Sequence, residues 1–205
     1  MRAPHAAPPN AVVPFLPISK AARNPFPAAL AFFPFSLVMI AAAFALVFCI
    51  RLVSLAISIR NEKRLIAEGA TQYGARNSKL LSAAHIVYYF AALGEAYARG
   101  ATFDAISATG TAVLVFALGM LFYVIHALGP VWTVKIYIHP QHQVNRNWLF
   151  SHVRHPNYFL NITPELIGVG LLCHAWGVML VGLPIYAAIL AVRIRQEHEA
   201  MRHLW

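Results

Sequence analysis

Apolar residues in this chain fall into long blocks separated by short polar ones, a pattern suited to helices that satisfy their backbone hydrogen bonds internally in lipid. Crossing about 30 Å of hydrocarbon takes ~20 mainly apolar residues, and five stretches meet or approach that length. The first runs from Ala28 to Ile50 without a charge. Arg51 to Glu68 then reads as a polar-faced interfacial helix, with Gly69, Gly74 and Asn77 as breakers. The second, Leu80 to Tyr97, contains His85 and Glu95 and closes at Arg99-Gly100. The third, Ile106 to Leu128, holds only His126 as a potential charge and stops at Gly129-Pro130. From Tyr158 to Val192, 35 residues carry Glu165 as their only charge. At about 1.5 Å per residue that run is too long for one upright crossing, so the pattern predicts a hairpin folding back near His174 to Gly177. The expected fold is an all-α integral membrane protein with about five transmembrane helices. Three parts are expected: a Pro/Ala-rich flexible leader (1–25), three N-terminal spans with an interfacial helix (26–130), and a loop, helical hairpin and tail (131–205).

Composition supports the bilayer as solvent, because 60% of the residues are hydrophobic and 11% are charged, against about a quarter charged in soluble domains. The net charge of +9, from 16 Lys and Arg against 7 Asp and Glu, would suggest nucleic acid in a soluble domain. Here the basic residues lie mostly between apolar blocks, where they set orientation and meet anionic headgroups, so no nucleic-acid partner is expected. Arg60, Lys63, Arg64, Arg76 and Lys79 follow the first span. Lys135, Arg146 and Arg154 follow the third, and Arg193, Arg195 and Arg202 end the chain. These segments should be cytoplasmic, although Arg2, Lys20 and Arg23 of the leader dissent. Cys49 and Cys173 sit in apolar runs and imply no disulfide framework.

Polar residues that hydropathy does not explain gather in three places: the loop 131–157, the hairpin entrance and the tail Arg193-Ile194-Arg195-Gln196-Glu197-His198-Glu199. By topology all three share one membrane face. Arg154-His155-Pro156-Asn157-Tyr158 puts a cation and an imidazole just before a proline, at the mouth of the next helix, where free backbone N–H groups can receive an anionic group. Helical spacing predicts Tyr158, Asn161 and Glu165 along one face as a polar stripe entering the membrane. A carboxylate there costs roughly 2.5 to 3.5 kcal/mol on insertion scales and usually faces a cavity or a partner, such as a buried Arg. His139 with His142 and His152 with His155 form two His-x-x-His pairs that could suit a metal. No Asp, Glu or Cys accompanies them in the loop, and no metal is expected. His85 and His126, alone on apolar helices, read as packing histidines, and Glu95 with Arg99 as an i,i+4 ion pair.

Arg154-His155-Pro156-x-Tyr158, preceded by His142 and followed by a hydrophobic hairpin and Arg193-x-Arg195-x-Glu197, resembles the isoprenylcysteine carboxyl methyltransferase family. The resemblance spans about residues 115–205 and includes Trp132-Thr133-Val134-Lys135. It implies a membrane methyltransferase that uses S-adenosylmethionine and acts on a lipophilic or lipidated acceptor. It also implies a bacterial inner-membrane protein with its active site at the cytoplasmic face. On this resemblance His142, Val144, His155, Pro156, Tyr158 and Glu197 would bind the cofactor and Arg154 would meet a carboxylate; the catalytic candidates are Arg154, Asn157 and Glu165, the last for its charge within the membrane. Where the family often has two adjacent glutamates, this chain has Glu197-His198. A nicotinamide-dependent reductase of the sterol-reductase type, a His-rich metal-binding membrane protein and a non-enzymatic membrane scaffold are the competing classes.

Overall fold

The structure, a computed structural model, describes residues 35–139 and 147–202. The expected leader, 1–25, and the positions His142 and Val144 lie outside the described residues. Helix α1 spans Phe35–Ala67, α2 Ala75–Arg99 and α3 Ala105–Leu128. A short α4 covers Trp148–His152, α5 covers Thr163–Leu172 and α6 covers Trp176–Met201. The hairpin forms as expected, with α5 and α6 joined at Cys173–Ala175, where His174 takes a positive φ of 51°.

The first helix departs from expectation. No Gly or Pro interrupts Phe35–Ala67, and the segment expected at the interface continues the span as one unbroken helix. Its 33 residues reach about 50 Å, so α1 projects from the hydrocarbon as a polar-faced post. Gly69 (φ 88°) ends it and Gly74 (φ 59°) starts α2. Asn77, read as a breaker, instead lies inside α2 and donates to the Ile189 carbonyl at 3.3 Å. Gly100, in the left-handed region, closes α2 as the sequence suggests.

The all-α expectation also misses a two-stranded antiparallel ribbon. Strand β1 (Thr71–Tyr73) pairs with β2 (Ile136–Ile138) in the register Thr71↔Ile138, Gln72↔Tyr137 and Tyr73↔Ile136. Ile136 and Ile138 turn inward and pack on Ala200 of α6, so the ribbon ties the end of α1 to the tail.

Among the described residues, three helices are long and apolar enough to cross a membrane: Phe35–Ala67, Ala105–Val131 and Trp176–Met201. The molecule is an integral membrane protein of mostly helical structure. Its outer surface carries exposed Val38, Leu46, Phe90, Val115, Phe116, Phe122, Leu180 and Ile185, the inverse of a soluble bundle. Helix α5 lies along α3 at very close range. A Cβ on Gly110 would fall 2.4 Å from the Leu172 backbone nitrogen, and one on Gly168 would fall 3.0 Å from the Gly110 carbonyl. Small residues at a crossing let two backbones approach where no water competes.

The ends of the bundle are joined differently. At one end, Asp104 caps α3, accepting from the Ile106 and Ser107 N–H groups, and His174 Nε2 sits 3.0 Å from the same carboxylate. Nearby, Glu95 pairs with Arg99 at 2.8 Å, as expected, and also accepts the Gly177 and Val178 N–H groups that begin α6. The other end gathers the C-terminal part of α1, the start of α2, the loop after α3, the hairpin entrance and the tail.

Candidate functional site at the polar end of the bundle

Pro156 opens a π-helical turn, Asn157–Ile162, that runs into α5. Its i→i+5 bonding widens the turn, so residues three apart no longer share a face. The expected stripe therefore splits. Tyr158 turns toward α6, where its hydroxyl donates to Glu197 Oε2 at 2.6 Å and accepts from Arg193 Nε at 3.0 Å. Asn157 and Asn161 face each other at 2.9 Å, and with its amide oxygen and nitrogen exchanged Asn161 lies 3.2 Å from Glu165 Oε2. The stripe consists of Asn157, Asn161 and Glu165 instead.

Glu197 is gripped from several sides. His155 stacks on Tyr158, with ring centroids 5.6 Å apart, and brings Nδ1 to 3.4 Å from Glu197 Oε1. That is a close approach, too long to count as a good hydrogen bond. His155 Nε2 meets His198 Nε2 at 3.1 Å, so the histidine at the position where the family often has a second glutamate touches the hairpin entrance directly. Arg193, only 2% exposed, completes the group: it donates to Ser78 Oγ at 2.5 Å and to the Val134 carbonyl at 2.7 Å. One guanidinium thus joins α2, the loop after α3 and the hairpin entrance.

These residues enclose a cavity of about 200 Å³ lined by Trp132, Lys135, Phe150, Arg154, His155, Pro156, Asn157, Tyr158, Arg193 and Glu197, among others. A second cavity, about 350 Å³, shares Arg154, His155, Glu197 and Met201 with the first and adds His198 and Arg202. Of the residues expected to bind or act, Arg154, His155, Pro156, Asn157, Tyr158 and Glu197 all line the first cavity. Glu165 does not. It is fully buried in a separate group, paired with Arg51 and Tyr89, with His85 Nε2 at 3.7 Å. His85 is packed and hydrogen-bonded, as expected of a packing histidine: its Nδ1 lies 3.3 Å from the Tyr186 hydroxyl and its ring stacks on Tyr89.

The sequence reading missed the contribution of α1. Ser58, Asn61 and Glu62 follow i, i+3, i+4 spacing, which puts them on one helical face. They hold the loop after α3 through Val134 N to Ser58 Oγ (2.9 Å), Asn61 Nδ2 to the Trp132 carbonyl (2.8 Å) and Lys135 Nζ to Glu62 Oε2 (2.6 Å). Hydrogen bonding to Glu62, with added charge attraction, raises the Lys135 pKa above its ordinary value. The signal available in sequence was a Ser, an Asn and a Glu on one helical face, set among the cations Arg51, Arg60, Lys63 and Arg64 of the same segment. Among the described residues, no group of three His, Cys, Asp or Glu side chains is arranged to hold a metal ion. His152 turns back on its own helix, 2.8 Å from the Trp148 carbonyl.

A mostly helical membrane protein with a polar cavity at one end, built from an Arg-His-Pro-x-Tyr helix entrance and an acidic tail, defines the class. Residues 110–203 match the sequence model of the Isoprenylcysteine carboxyl methyltransferase (ICMT) family. A Haemophilus influenzae protein described as "Uncharacterized protein" is 61% identical over 162 residues, covering 79% of this chain and 94% of the relative. "Uncharacterized protein YpbQ" of Bacillus subtilis is 24% identical over 152 residues, covering 74% of this chain and 90% of the relative. No solved structure matches the chain. The chain belongs to the isoprenylcysteine carboxyl methyltransferase family, which makes it a membrane protein of a methyltransferase family.

Proposed function

We propose that this protein is an S-adenosylmethionine-dependent methyltransferase acting on a lipophilic or lipidated acceptor, with its site at the cytoplasmic face of an inner membrane. The observation that carries this reading is the meeting of two distant stretches around one cavity. Arg154, His155, Asn157 and Tyr158 come from the hairpin entrance, and Arg193 and Glu197 come from the tail.

The residues present suit such a cofactor. Trp132, 3% exposed, lines the cavity with an indole N–H that has no acceptor among the described residues, leaving a donor for a bound molecule. Arg154 would take the carboxylate of the methionine part, since a guanidinium binds carboxylates with two parallel hydrogen bonds. Glu197 and His155 would hold its polar groups, and Pro156 and Tyr158 would form the wall. His142 and Val144, outside the described residues, are assigned to the same pocket through the family resemblance. When bound, S-adenosylmethionine supplies an electrophilic methyl group: the C–S bond breaks, its electron pair stays on sulfur, and the acceptor's nucleophile forms the new bond.

The protein's part is positioning and exclusion of water. Arg154 and Asn157 line the cavity and would orient the acceptor. Glu165 lies beyond Asn161, which stands between it and Asn157. Leu128, Val131, Ile136 and Ile138 give the cavity an apolar wall, which favours a hydrocarbon tail at ~0.8 kcal/mol per buried methylene. A five-crossing topology, with α2 and the α5 segment joining the three apolar helices, would place the Lys- and Arg-rich segments around the cavity on the cytoplasmic side.

Calorimetric titration of the purified protein with S-adenosylmethionine, reduced nicotinamide dinucleotides and divalent metals, side by side, tests the reading. Binding of S-adenosylmethionine alone is expected, and it should disappear in Glu197→Ala and His155→Ala while helical circular dichroism is retained. Wild-type affinity in those variants, or binding of a nicotinamide cofactor instead, would overturn it.

A further inference from the structure

Four buried side-chain polar atoms lack a hydrogen-bond partner among the described residues: His85 Nε2, Trp132 Nε1, His155 Nδ1 and Gln196 Oε1. Both imidazole atoms have a carboxylate nearby, at 3.7 Å and 3.4 Å, and Gln196 is not among the cavity-lining residues. Trp132 differs from all three. The residue is 97% covered, it lines the cavity, and among the described residues no acceptor meets a group that can only donate.

The backbone around this ring is held firmly. Asn61 Nδ2 donates to the Trp132 carbonyl at 2.8 Å and to the Gly129 carbonyl at 3.2 Å. One turn away, Ser58 Oγ accepts from Val134 N at 2.9 Å and donates to Glu62 Oε1 at 2.9 Å. Lys135 is bound to the other Glu62 oxygen at 2.6 Å. The loop is fastened on both sides of Trp132 by a helix that lies outside the family match at 110–203. A buried donor kept unpartnered on a backbone fixed by several hydrogen bonds is a preorganised contact for a ligand.

We propose that the Trp132 indole N–H donates a hydrogen bond to the bound methyl donor, and that Asn61 of α1 is a positioning residue that sets the ring for it. This rests on the methyltransferase reading. Thr133, Lys135 and Asn157 share the cavity wall with Trp132, and a hydrocarbon tail offers an N–H nothing to bond. A carboxylate, a ribose or an adenine ring does.

The test uses the full chain in detergent micelles, labelled with ¹⁵N-tryptophan, with S-adenosylhomocysteine as the probe. The sequence holds four tryptophans, so the Trp132 indole signal is assigned by replacing Trp148, Trp176 and Trp205 with Phe in turn. On saturation that signal should move downfield while the others stay near their free positions. Trp132→Phe, which keeps the ring and removes the donor, should weaken binding about tenfold. Asn61→Ala should weaken binding similarly and reduce the downfield shift. The double variant should bind no worse than Trp132→Phe, because the two act through one contact. A merely structural Asn61 would lower the unfolding midpoint and leave the saturated indole shift intact. Binding without movement of the Trp132 signal, movement only on adding a detergent-solubilised lipid, or wild-type affinity in Trp132→Phe would each overturn the proposal. Failure of the wild-type chain to bind the probe at all would instead defeat the methyltransferase reading, and this inference with it.

Discussion

Glu165, fully buried, and Glu197, partly buried, each sit in a group containing one His, one Tyr and one Arg, yet the two groups do different things. Around Glu165, Arg51 pairs directly, Tyr89 donates its hydroxyl and His85 stands at 3.7 Å. Around Glu197, Tyr158 donates at 2.6 Å, His155 stands at 3.4 Å, and Arg193 reaches the carboxylate only through Tyr158. Glu165 is fully buried and lines neither of the two cavities. Glu197 keeps a quarter of its side chain exposed and lines both cavities. The lesson is about neutralisation. A carboxylate matched directly by a guanidinium within the bundle has little charge left for a ligand. One that must share its arginine with Ser78 and Val134 still has capacity to spare.

The comparison is broken most forcefully by removing one member of the sealed pair. Arg51→Ala or Glu165→Ala leaves a buried charge alone and should lower stability by about 3 to 5 kcal/mol, measured by denaturant titration in detergent. Arg51→Met combined with Glu165→Leu should recover most of that loss, because two apolar side chains leave no charge unpaired. The folded fraction of each variant should bind S-adenosylhomocysteine as the wild type does. A Glu165→Ala protein of normal stability that no longer binds would erase the division between the two groups.

The converse substitution gives the next largest effect. Glu197→Gln keeps the shape and an acceptor for Tyr158 but removes the charge. It should weaken S-adenosylhomocysteine binding by roughly ten- to a hundredfold, the equivalent of one charge-assisted hydrogen bond. Its unfolding midpoint should stay close to that of the wild type, the reverse of the Glu165 pattern.

Gly110→Ala probes what the two groups share, the crossing of α3 and α5 on which the π-helical turn is carried. A methyl group 2.4 Å from a backbone nitrogen cannot be accommodated without shifting a helix, and overpacking of this kind costs about 1 to 3 kcal/mol. Because the shift moves Asn157 and Glu165 together, stability and affinity should fall in parallel. Thermal unfolding and titration of the same sample would detect this.

These contrasts mark what local sequence can and cannot carry. The hairpin, the glycine stops at Gly100 and Gly129, the Glu95–Arg99 pair and the grouping of His155 with Glu197 all follow from hydropathy, turn chemistry and motif spacing. The Arg51–Glu165 pair does not, because 114 residues separate its members. By sequence Arg51 reads as the start of an interfacial helix. Asn77 reads as a breaker for the same reason, since its partner, the Ile189 carbonyl, lies on a helix far along the chain. Three-residue strands show no periodicity, so the β1–β2 ribbon leaves no trace. The turn of Tyr158 away from Asn161 comes from a π-helical geometry that no residue type announces.

The smallest predicted effect belongs to the end of the bundle opposite the cavity and separates a capping carboxylate from the two above. Asp104 holds the first turn of α3 and contacts His174 at the hairpin tip. The Ser107 backbone N–H, with that of Ile106 and the nearby His174 adding to it, keeps the carboxyl below its ordinary value of about 3.8. A carboxyl depressed in the folded state favours folding above its ordinary value, and the contribution is lost as pH falls through the depressed one. Hydrogen-exchange protection of the Ile106 and Ser107 amides, corrected for intrinsic rates, should therefore hold from pH 6 to about pH 4 and decline below it. Asp104→Asn, uncharged throughout, should show lower protection that varies little over this range. A decline of equal size in the variant would assign the pH dependence to other groups.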